Sequence, residues 1–241
     1  IRSLGLSFFN ILTKQAIIGD SNAELINLFR QVKENPECLY KNFSKIKRNK
    51  KMYYYWRRLN PAHLDDRTRA VRLLYLNRNC FNGIYRTNRL GEFNVPMGSK
   101  LGSYFSIDDI IRCSQALQGA RLVHGDFEDT LRGVRANDFV YLDPPYAVTS
   151  RRVFREYGRE IFNPSDLDRF SKQLKRIDAA GADFLVSYAD CTEARALAKV
   201  WKSERVPVRR HIAGFADARR QAYEWLITNI QSFHEPAGPS S

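Results

Sequence analysis

Cysteine and histidine are scarce in this sequence of 241 residues, and neither residue type is clustered. The four cysteines, Cys38, Cys80, Cys113 and Cys191, lie far apart and form no C-x-x-C pair. The spacing therefore predicts neither a disulfide framework nor a zinc site. The four histidines are equally scattered. This cysteine usage is typical of a protein that works in a reducing cytoplasm.

Long apolar runs and a surplus of negative charge are also missing. No stretch reaches the roughly 18 consecutive apolar residues of a membrane-spanning helix, so the sequence predicts no membrane partner. Lysine and arginine together number 39 against 26 acidic residues, which gives a formal net charge of +13. Such an excess of positive charge suits a polyanion and speeds encounter with it, so we expect a nucleic-acid partner.

The strongest functional signal is the sequence Asp143-Pro144-Pro145-Tyr146, which follows the apolar run 139–142. A continuous apolar run that ends at a breaker is typical of a buried parallel strand, and ligands of open α/β sheets bind beyond the carboxyl ends of such strands. Asp143 and a neighbouring backbone carbonyl could both accept from one exocyclic amine and hold its nitrogen ready to attack a methyl group. The prolines stiffen this backbone, and Tyr146 offers a flat face to an extruded base. The alternative is an ordinary strand-ending turn with a solvated Asp143 and a packed Tyr146.

The pattern of apolar residues predicts an α/β fold in which strands and helices alternate. Short apolar runs predict strands ending near Asp20, Asp126 and Asp143, and a helix capped by Asn22 follows the first of them. Alternating strand and helix units imply a mainly parallel sheet flanked by helices. The later predicted elements are a helix at 165–180, a strand at 184–188, a helix at 192–201 and strands at 206–212 and 223–228.

Residues 35–120 differ in character and predict an inserted domain that is basic and mostly helical. This region contains the basic run 45–51, the aromatic cluster 53–56 and a loop rich in Asn and Gly at 82–98. Two interpretations of the basic run are equally open, a solvated helix face and a phosphate-binding segment. The aromatic cluster favours core packing over base stacking. The other predicted parts are an α/β domain of residues 1–34 and 121–230 and a flexible tail of residues 231–241.

Residues 75–98, together with the later DPPY sequence, resemble the Dam family of DNA adenine-N6 methyltransferases. The segment contains the pattern NGxYRxNxxGxFNVPxG, which is long enough to be highly specific. The resemblance extends from about Gly5 to Asn229. It implies a Rossmann-like methyltransferase fold in which the insertion recognises double-stranded DNA. It further implies methylation of adenine N6 in GATC or a related site, by a monomer in the cytoplasm of a prokaryotic or phage-infected cell.

The resemblance implies S-adenosyl-methionine as the cofactor and assigns residues to it. Asp20 would accept from both ribose hydroxyls, and Asp126 from the adenine amine, with Phe127 beside the ring. Read without the resemblance, Asp20 and Asp126 are ordinary capping or turn residues and Phe127 is a core residue. Gly5 is the last glycine of the first cofactor motif, and Asp143 lies at the transferred methyl group. A metal ion has no task, because the sulfonium already supplies the leaving group.

The resemblance also implies a set of DNA contacts within the insertion. Phe81 would enter the duplex as the target base leaves, and Asn82 would touch the orphaned partner base. Arg86 would read a guanine through bidentate bonds in the major groove. Ile84 and Pro96 would contact thymine methyl groups, and Lys100 a phosphate. The implied DNA-binding set is Phe81, Asn82, Ile84, Arg86, Asn88, Pro96 and Lys100.

The sequence departs from the family pattern at its start. Family members carry an upstream Lys-Trp-x-Gly-Gly-Lys-type segment and a first motif of the form Phe-x-Gly-x-Gly, of which only Gly5 is retained here. Ser3 stands where a glycine is expected, and its side chain would crowd a turn that needs close approach to a ligand. Two interpretations stay open, a fragment of a longer protein or an impaired cofactor site. Both lead us to expect weak binding of S-adenosyl-methionine by this chain alone.

Three functions are compatible with the sequence. The leading one is a DNA adenine methyltransferase. The second is a non-catalytic DNA-binding relative that uses the basic insertion and no longer binds the cofactor. The third is a methyltransferase for another planar amide or amine, in RNA or protein. Asp rather than Asn at position 143, together with the NGxYRxN pattern, favours DNA over this third substrate class.

Overall fold

The computed structural model describes residues 15–88, 90–99, 101–144, 164–208 and 222–231. The described residues form two compact units, the first spanning 15–132 and the second running from residue 133 to residue 231. No helix within these ranges is long and apolar enough to cross a lipid bilayer.

The described part of the first unit combines a two-stranded parallel sheet with five α-helices of eight or more residues and one shorter α-helix. In chain order, the first strand is followed by the five longer helices, the second strand and the short helix. Strands β1 and β2 pair in parallel. The elements in chain order are β1 (Ala16–Asp20), α1 (Ala23–Glu34), α2 (Pro36–Ser44), α3 (Lys50–Arg58), α4 (Asp66–Asn79), α5 (Ile107–Leu117), β2 (Ala120–His124) and α6 (Phe127–Leu131).

Helix α4 lies at the centre of the first unit and α1 packs along it. The side chain of Asn22 caps α1 by accepting from the backbone N–H groups of Glu24 and Leu25, as the sequence predicts. Asp65 caps α4 in the same way through the Thr68 N–H. Apolar residues surround most of α4, which is typical of a helix buried on nearly all sides. Its buried apolar residues are Ala70, Val71, Leu73, Leu74, Tyr75 and Leu76.

One continuous core runs through the first unit. It includes Ile18 of β1, Leu28 of α1, Phe43 of α2 and Ala120 of β2. Helix α5 joins this unit with a capping box, in which the Ser106 and Asp109 side chains bond to each other's backbone N–H groups. The predicted insertion 35–120 therefore shares its apolar core with the strand and helix that precede it. Its boundaries as a separate domain stay a prediction.

The second unit contains a four-stranded mixed sheet in the order β3-β4-β6-β5. Strands β3 and β4 are parallel, and β6 is antiparallel to both of its neighbours. Helix α7 packs against β4, and α8 packs against β6. The elements are β3 (Phe139–Leu142), α7 (Pro164–Ala179), β4 (Asp183–Ala189), α8 (Thr192–Ala198), β5 (Lys202–Val208) and β6 (Ala222–Thr228).

The core of the second unit lies between α7 and one face of the sheet. Phe184, Val186 and Tyr188 alternate along β4 with fully buried side chains, and Phe170 and Leu174 of α7 are equally buried. This alternation follows from the two-residue period of a strand. It leaves Leu185, Ser187 and Ala189 on the other face, half-buried.

The predicted α/β architecture is confirmed, with differences at some element ends. The strands ending at Asp20 and before Asp143 and the helix near 165–180 are where the sequence places them. Helix α8 ends at Ala198, three residues before the predicted end at position 201. Strand β5 begins at Lys202, four residues before the predicted start. The polar residues 202–205 do not mark this start, because β5 lies at the edge of the sheet as described and needs no continuous apolar run.

Candidate functional site

The carboxyl ends of β1 and β2 form one edge of the sheet in the first unit. Because the strands are parallel, Asp20 is in register with His124. The Gly125 N–H donates to the Asp20 carbonyl oxygen at 3.2 Å. Asp126 and Phe127 follow directly at the start of α6. Three predicted cofactor residues, Asp20, Asp126 and Phe127, therefore lie at one edge of the sheet.

The Asp20 carboxylate is a half-buried hydrogen-bond acceptor. Its Oδ1 accepts from the Asn22 N–H at 2.7 Å. Burial raises the pKa of Asp20 above its ordinary value, and this hydrogen bond opposes the rise. Asn22, not Asp20, supplies the cap of α1. Asp20 thus differs from the capping residue that the sequence offers as the alternative.

Asp126 takes the capping role that the sequence also allows. Its Oδ1 accepts from the Glu128 N–H at 2.9 Å, so Asp126 is the N-cap of α6. The residue is exposed, and Phe127 beside it is half-buried. The contacts of Asp126 and Phe127 with a cofactor stay predictions.

Gly19 allows α6 to pack directly on β1. A Cβ atom added at Gly19 would stand 1.8 Å from Oγ1 of Thr130, far inside van der Waals contact. Any side chain at this position would push α6 away from the strand. The absence of a side chain at Gly19 therefore allows Thr130 of α6 to lie directly against β1, next to Asp20.

The carboxyl ends of β3 and β4 form a corresponding edge in the second unit. Leu142, the last residue of β3, is in register with Val186 of β4. Asp143 follows Leu142, and Pro144 after it is buried. The predicted residues Pro145 and Tyr146 lie outside the described residues, as do Gly5 and Lys100. Asp143 therefore occupies the strand end where the sequence predicts it.

Asp190 ties together three elements at the same edge of the second unit. Its carboxylate accepts from Arg195 Nε at 2.8 Å, from Arg205 Nη2 at 2.8 Å and from Trp225 Nε1 at 3.0 Å. Hydrogen bonds from Arg195, Trp225 and Arg205 hold the pKa of Asp190 well below its ordinary value. Asp190 thereby connects the end of β4 to α8, β5 and β6. Sequence reasoning predicted the strand at 184–188 but not these partners of Asp190.

A second polar contact on this sheet also escaped sequence reasoning. The Ser187 hydroxyl donates to Glu224 Oε2 at 3.3 Å. Ser187 and Glu224 lie on neighbouring strands β4 and β6. They place a hydroxyl and a carboxylate on the half-buried face of the sheet.

The described residues of the segment 80–98 fold back on themselves, and we call this segment the reading hairpin after the DNA contacts that the resemblance predicts for it. Its two arms are joined by bridges between Cys80 and Met97 and between Thr87 and Phe93. A backbone hydrogen bond runs from the Gly98 N–H to the Asn79 carbonyl and closes the base. The sequence predicts this segment only as a loop. The structure therefore gives it a defined register.

Three predicted DNA contacts meet at the base of the reading hairpin. The Phe81 N–H donates to the Pro96 carbonyl oxygen at 2.9 Å. Phe81 is 39% exposed, and Pro96 is also exposed. Asn82 next to Phe81 has a φ of 53°, a left-handed conformation that asparagine tolerates better than most residues. The exposed Phe81 and Pro96 thus lie on hydrogen-bonded backbone segments, and the exposed Asn82 follows Phe81 directly.

The second arm of the reading hairpin is anchored in the core. Phe93 and Val95 are both buried. The Val95 carbonyl oxygen accepts from the Tyr53 hydroxyl at 2.9 Å and from Arg57 Nη1 at 3.2 Å. Helix α3 therefore holds the chain segment that precedes Pro96.

The predicted guanine-reading residue, Arg86, is held by the opposite arm. Its Nε donates to Oδ1 of Asn94 at 2.9 Å, and the Asn94 N–H donates to the Arg86 carbonyl at 3.1 Å. Both residues are half-buried. Asn94 lies within the family pattern, but sequence reasoning gave it no role.

Asn88 shapes the tip of the reading hairpin. Its Oδ1 accepts from the N–H groups of Leu90 and Glu92, at 2.9 and 3.0 Å. Its Nδ2 donates to the Glu92 carboxylate at 2.7 Å. These hydrogen bonds give Asn88 a structural role in the turn. Its contact with DNA stays a prediction.

The basic run 45–51 connects two helices instead of covering one helix face. Helix α2 ends at Ser44 and α3 begins at Lys50. Ile46 is buried, and Arg48 lies over the Tyr104 ring, 4.3 Å from its centroid. The solvated-helix interpretation is therefore wrong for most of the run. The exposed cations of this connection are Lys45, Lys47, Lys50 and Lys51.

Core packing is confirmed for part of the aromatic cluster 53–56. Tyr53 is fully buried, and its ring lies 6.4 Å from that of Tyr75. Trp56 also packs against Tyr75, at 6.2 Å between ring centroids. Tyr55 points outward and is 50% exposed.

Asp143 and Pro144 follow a strand of an α/β fold, which is the position predicted from the sequence for the DPPY motif of a methyltransferase. Residues 3–212 match the family model of the D12 class N6 adenine-specific DNA methyltransferases. The match covers most of the chain, and the chain belongs to this family. The resemblance predicted from residues 75–98 and DPPY is thereby confirmed.

Individual relatives support the same family over nearly the whole chain. The chain is 32% identical to the type II methyltransferase M1.LlaDCHI of Lactococcus lactis subsp. cremoris, over 93% of this chain and 83% of the relative. It is 31% identical to the type II methyltransferase M.MjaIII of Methanocaldococcus jannaschii, over 90% and 80% of the two chains. It is 30% identical to a DNA adenine methylase of Haemophilus influenzae, over 92% of this chain and 80% of the relative.

Proposed function

We propose that this protein transfers a methyl group from S-adenosyl-methionine to N6 of adenine in GATC or a closely related site of double-stranded DNA, acting as a monomer. The observation that carries the proposal is the reading hairpin. Phe81, Asn82 and Pro96 are exposed in it, Phe81 and Pro96 are joined by a backbone hydrogen bond, and Arg86 is held by a side-chain hydrogen bond. These residue types match the set that the family resemblance assigns to DNA reading.

The chemistry of Asp20 fits a bound nucleoside. A carboxylate at a strand end can accept from both hydroxyls of a ribose, and burial strengthens such a contact because it removes competing water. Asp20 is half-buried and is already oriented by the Asn22 N–H. When bound, S-adenosyl-methionine supplies an activated methyl group on its sulfonium.

Asp143 would act on the target base. The carboxylate accepts from the exocyclic amine and orients its lone pair, so that catalysis consists mainly of positioning for in-line displacement. Pro144 follows and restricts the backbone conformation of Asp143. The chain's stiff strand end therefore serves to present one carboxylate and one carbonyl to a flipped base.

Phe81 and Asn82 would occupy the space that the base leaves. An exposed aromatic ring can stack within the opened duplex, and an adjacent amide can bond to the partner base. Arg86 would select guanine through O6 and N7. The exposed lysines of the 45–51 connection would contact phosphates, which gives affinity without sequence selection.

A methyl-transfer assay tests the proposal directly. The full chain is incubated with S-adenosyl-methionine labelled in its methyl group and with a duplex that contains one GATC site. A duplex that already carries N6-methyladenine on both strands is the control. We expect label in the adenine of the first duplex and none in the second. Specific DNA binding without transfer at saturating cofactor would identify a binding-only relative, and label in another base would refute the assignment of adenine.

A further inference from the structure

We infer that Asn94 is a positioning residue for sequence reading, which orients the Arg86 guanidinium toward a guanine. The inference rests on the proposed function of Arg86 as a base reader. It assigns to Asn94 a task that differs from contact with DNA, since Asn94 acts through another side chain.

Two hydrogen bonds join Asn94 to Arg86. The side-chain Oδ1 accepts from Nε at 2.9 Å, and the backbone N–H donates to the Arg86 carbonyl at 3.1 Å. One residue thus fixes both the main chain and the side chain of the reader. The guanidinium is planar, so an acceptor at Nε sets the plane and direction of the whole group.

The position of Asn94 is itself fixed by its neighbours. Phe93 and Val95 are buried on either side of it, and the two-residue period of an extended chain directs Asn94 to the opposite side. Across the hairpin, the Tyr85 ring packs against Phe93 with 5.7 Å between centroids. Arg86, which follows Tyr85, is therefore directed to the same side as Asn94.

This arrangement determines how Arg86 can meet a base. Because Nε is bonded to Asn94, the donors that reach O6 and N7 of guanine are the terminal amino groups. Loss of the Asn94 oxygen removes one restraint on the direction of the Arg86 guanidinium, so that its bonds to bases lose part of their advantage over bonds to phosphates. The Asn94 oxygen therefore contributes to selectivity more than to affinity.

The test compares methylation of two duplexes by the full chain. One contains GATC, and in the other the outer G·C pair of one half-site is replaced by A·T. The discrimination ratio is kcat/KM on the first divided by kcat/KM on the second. We expect Arg86→Ala to lower this ratio about tenfold or more, the scale of one lost bidentate contact. Asn94→Ala should lower it about fivefold or more, and the double variant should lose no more than Arg86→Ala alone.

Asn94→Asp is the matched variant. It keeps an oxygen acceptor for Nε and removes the amide donor, so we expect the discrimination ratio to stay within about twofold of wild type. Its added negative charge should weaken binding to both duplexes alike. Gln115→Ala, which removes an exposed amide from α5, controls for the general loss of an amide.

The outcomes separate the inference from the proposed function. The inference would be overturned, and the proposed function would stand, if Asn94→Ala lowered kcat/KM equally on both duplexes while Arg86→Ala lowered the discrimination ratio. No change in the ratio for Arg86→Ala would refute Arg86 as a base reader and the inference with it. If Asn94→Ala does not fold, as judged by its thermal transition, Asn94→Leu replaces it, because leucine has a similar size and no acceptor.

Discussion

The hydroxyl of Tyr53 donates to the carbonyl oxygen of Val95, 42 residues further along the chain, at 2.9 Å. This bond joins α3 to the second arm of the reading hairpin. It is buried, and Arg57 donates to the same oxygen at 3.2 Å. A helix outside the reading hairpin therefore supports the segment that carries most of the predicted base contacts.

Tyr53→Phe should lower the free energy of unfolding by about 0.5–1.5 kcal/mol, the net value of one hydrogen bond. The loss stays modest because Arg57 continues to satisfy the Val95 carbonyl. Urea unfolding at neutral pH measures the change. Tyr55→Phe on the same helix is the control, since Tyr55 is 50% exposed and should change stability little. Equal losses in the two variants would show that the Tyr53 bond has no special weight.

The same bond predicts a dependence on alkaline pH. Burial raises the pKa of Tyr53 above its ordinary value of about 10. The unfolded chain then loses the tyrosine proton first, so this contribution to stability is complete below about pH 10 and is lost as the pH rises further. The difference between wild type and Tyr53→Phe should therefore shrink above pH 10.

Asp190→Asn should destabilise the second unit at pH 7 by enough to lower the melting temperature by a few degrees. The carboxylate bonds to Arg195, Arg205 and Trp225, and an amide cannot replace its charge. Because the folded pKa is lowered, the contribution is present above the ordinary aspartate pKa of about 4 and is lost as the pH falls. The difference in melting temperature between Asp190→Asn and wild type should therefore disappear at acidic pH. Asp183→Asn, at the exposed start of β4, is the control, and a gap that persists at low pH would contradict the prediction.

Asp143→Ala should reduce methyl transfer at least about 100-fold while DNA binding is largely kept, because the carboxylate orients the target amine. A filter assay for transfer and fluorescence anisotropy for binding measure the two effects separately. Asp183→Ala removes a carboxylate from the opposite end of the neighbouring strand and should leave transfer unchanged. Turnover near that of wild type in Asp143→Ala would remove Asp143 from the mechanism.

Tyr146→Ala should reduce methyl transfer less than Tyr146→Asp, since both variants lose stacking and only the second adds a charge.

Asp20→Asn should weaken binding of S-adenosyl-methionine about tenfold or more, because hydrogen bonds to a charged acceptor are among the stronger ones. Titration calorimetry of the full chain measures the affinity, and DNA binding should not change. Asp129→Asn removes an exposed carboxylate of α6 and serves as the matched control. Unchanged affinity in Asp20→Asn would show that the ribose is held elsewhere.

The strand ends and most helices could be predicted because their signals are local. An apolar run followed by Asp and Pro indicates Asp143, and Asn22 before an apolar helical pattern indicates a cap. The polar start of β5 carries no such local signal, because Lys202–Arg205 gains its strand from pairing with β6. The helix boundary at Lys50 could not be predicted for a related reason, because the charges of the basic run 45–51 do not mark it.

The partners of the site residues could not be predicted because they depend on the fold. Asp190 meets residues 5, 15 and 35 positions away in the sequence. Arg86 is recognisable from the family pattern, yet its bond to Asn94 requires the register of the hairpin, which neither period nor composition specifies.

The closed base and bonded arms of the reading hairpin have an entropic consequence. Its backbone register, the Val95 anchor and the Arg86 orientation are already set in the protein without DNA. The conformational freedom of this segment is therefore lost when the chain folds, and little of it remains to be lost on binding. Discrimination between DNA sequences can then depend on the contacts themselves instead of on the ordering of a flexible loop.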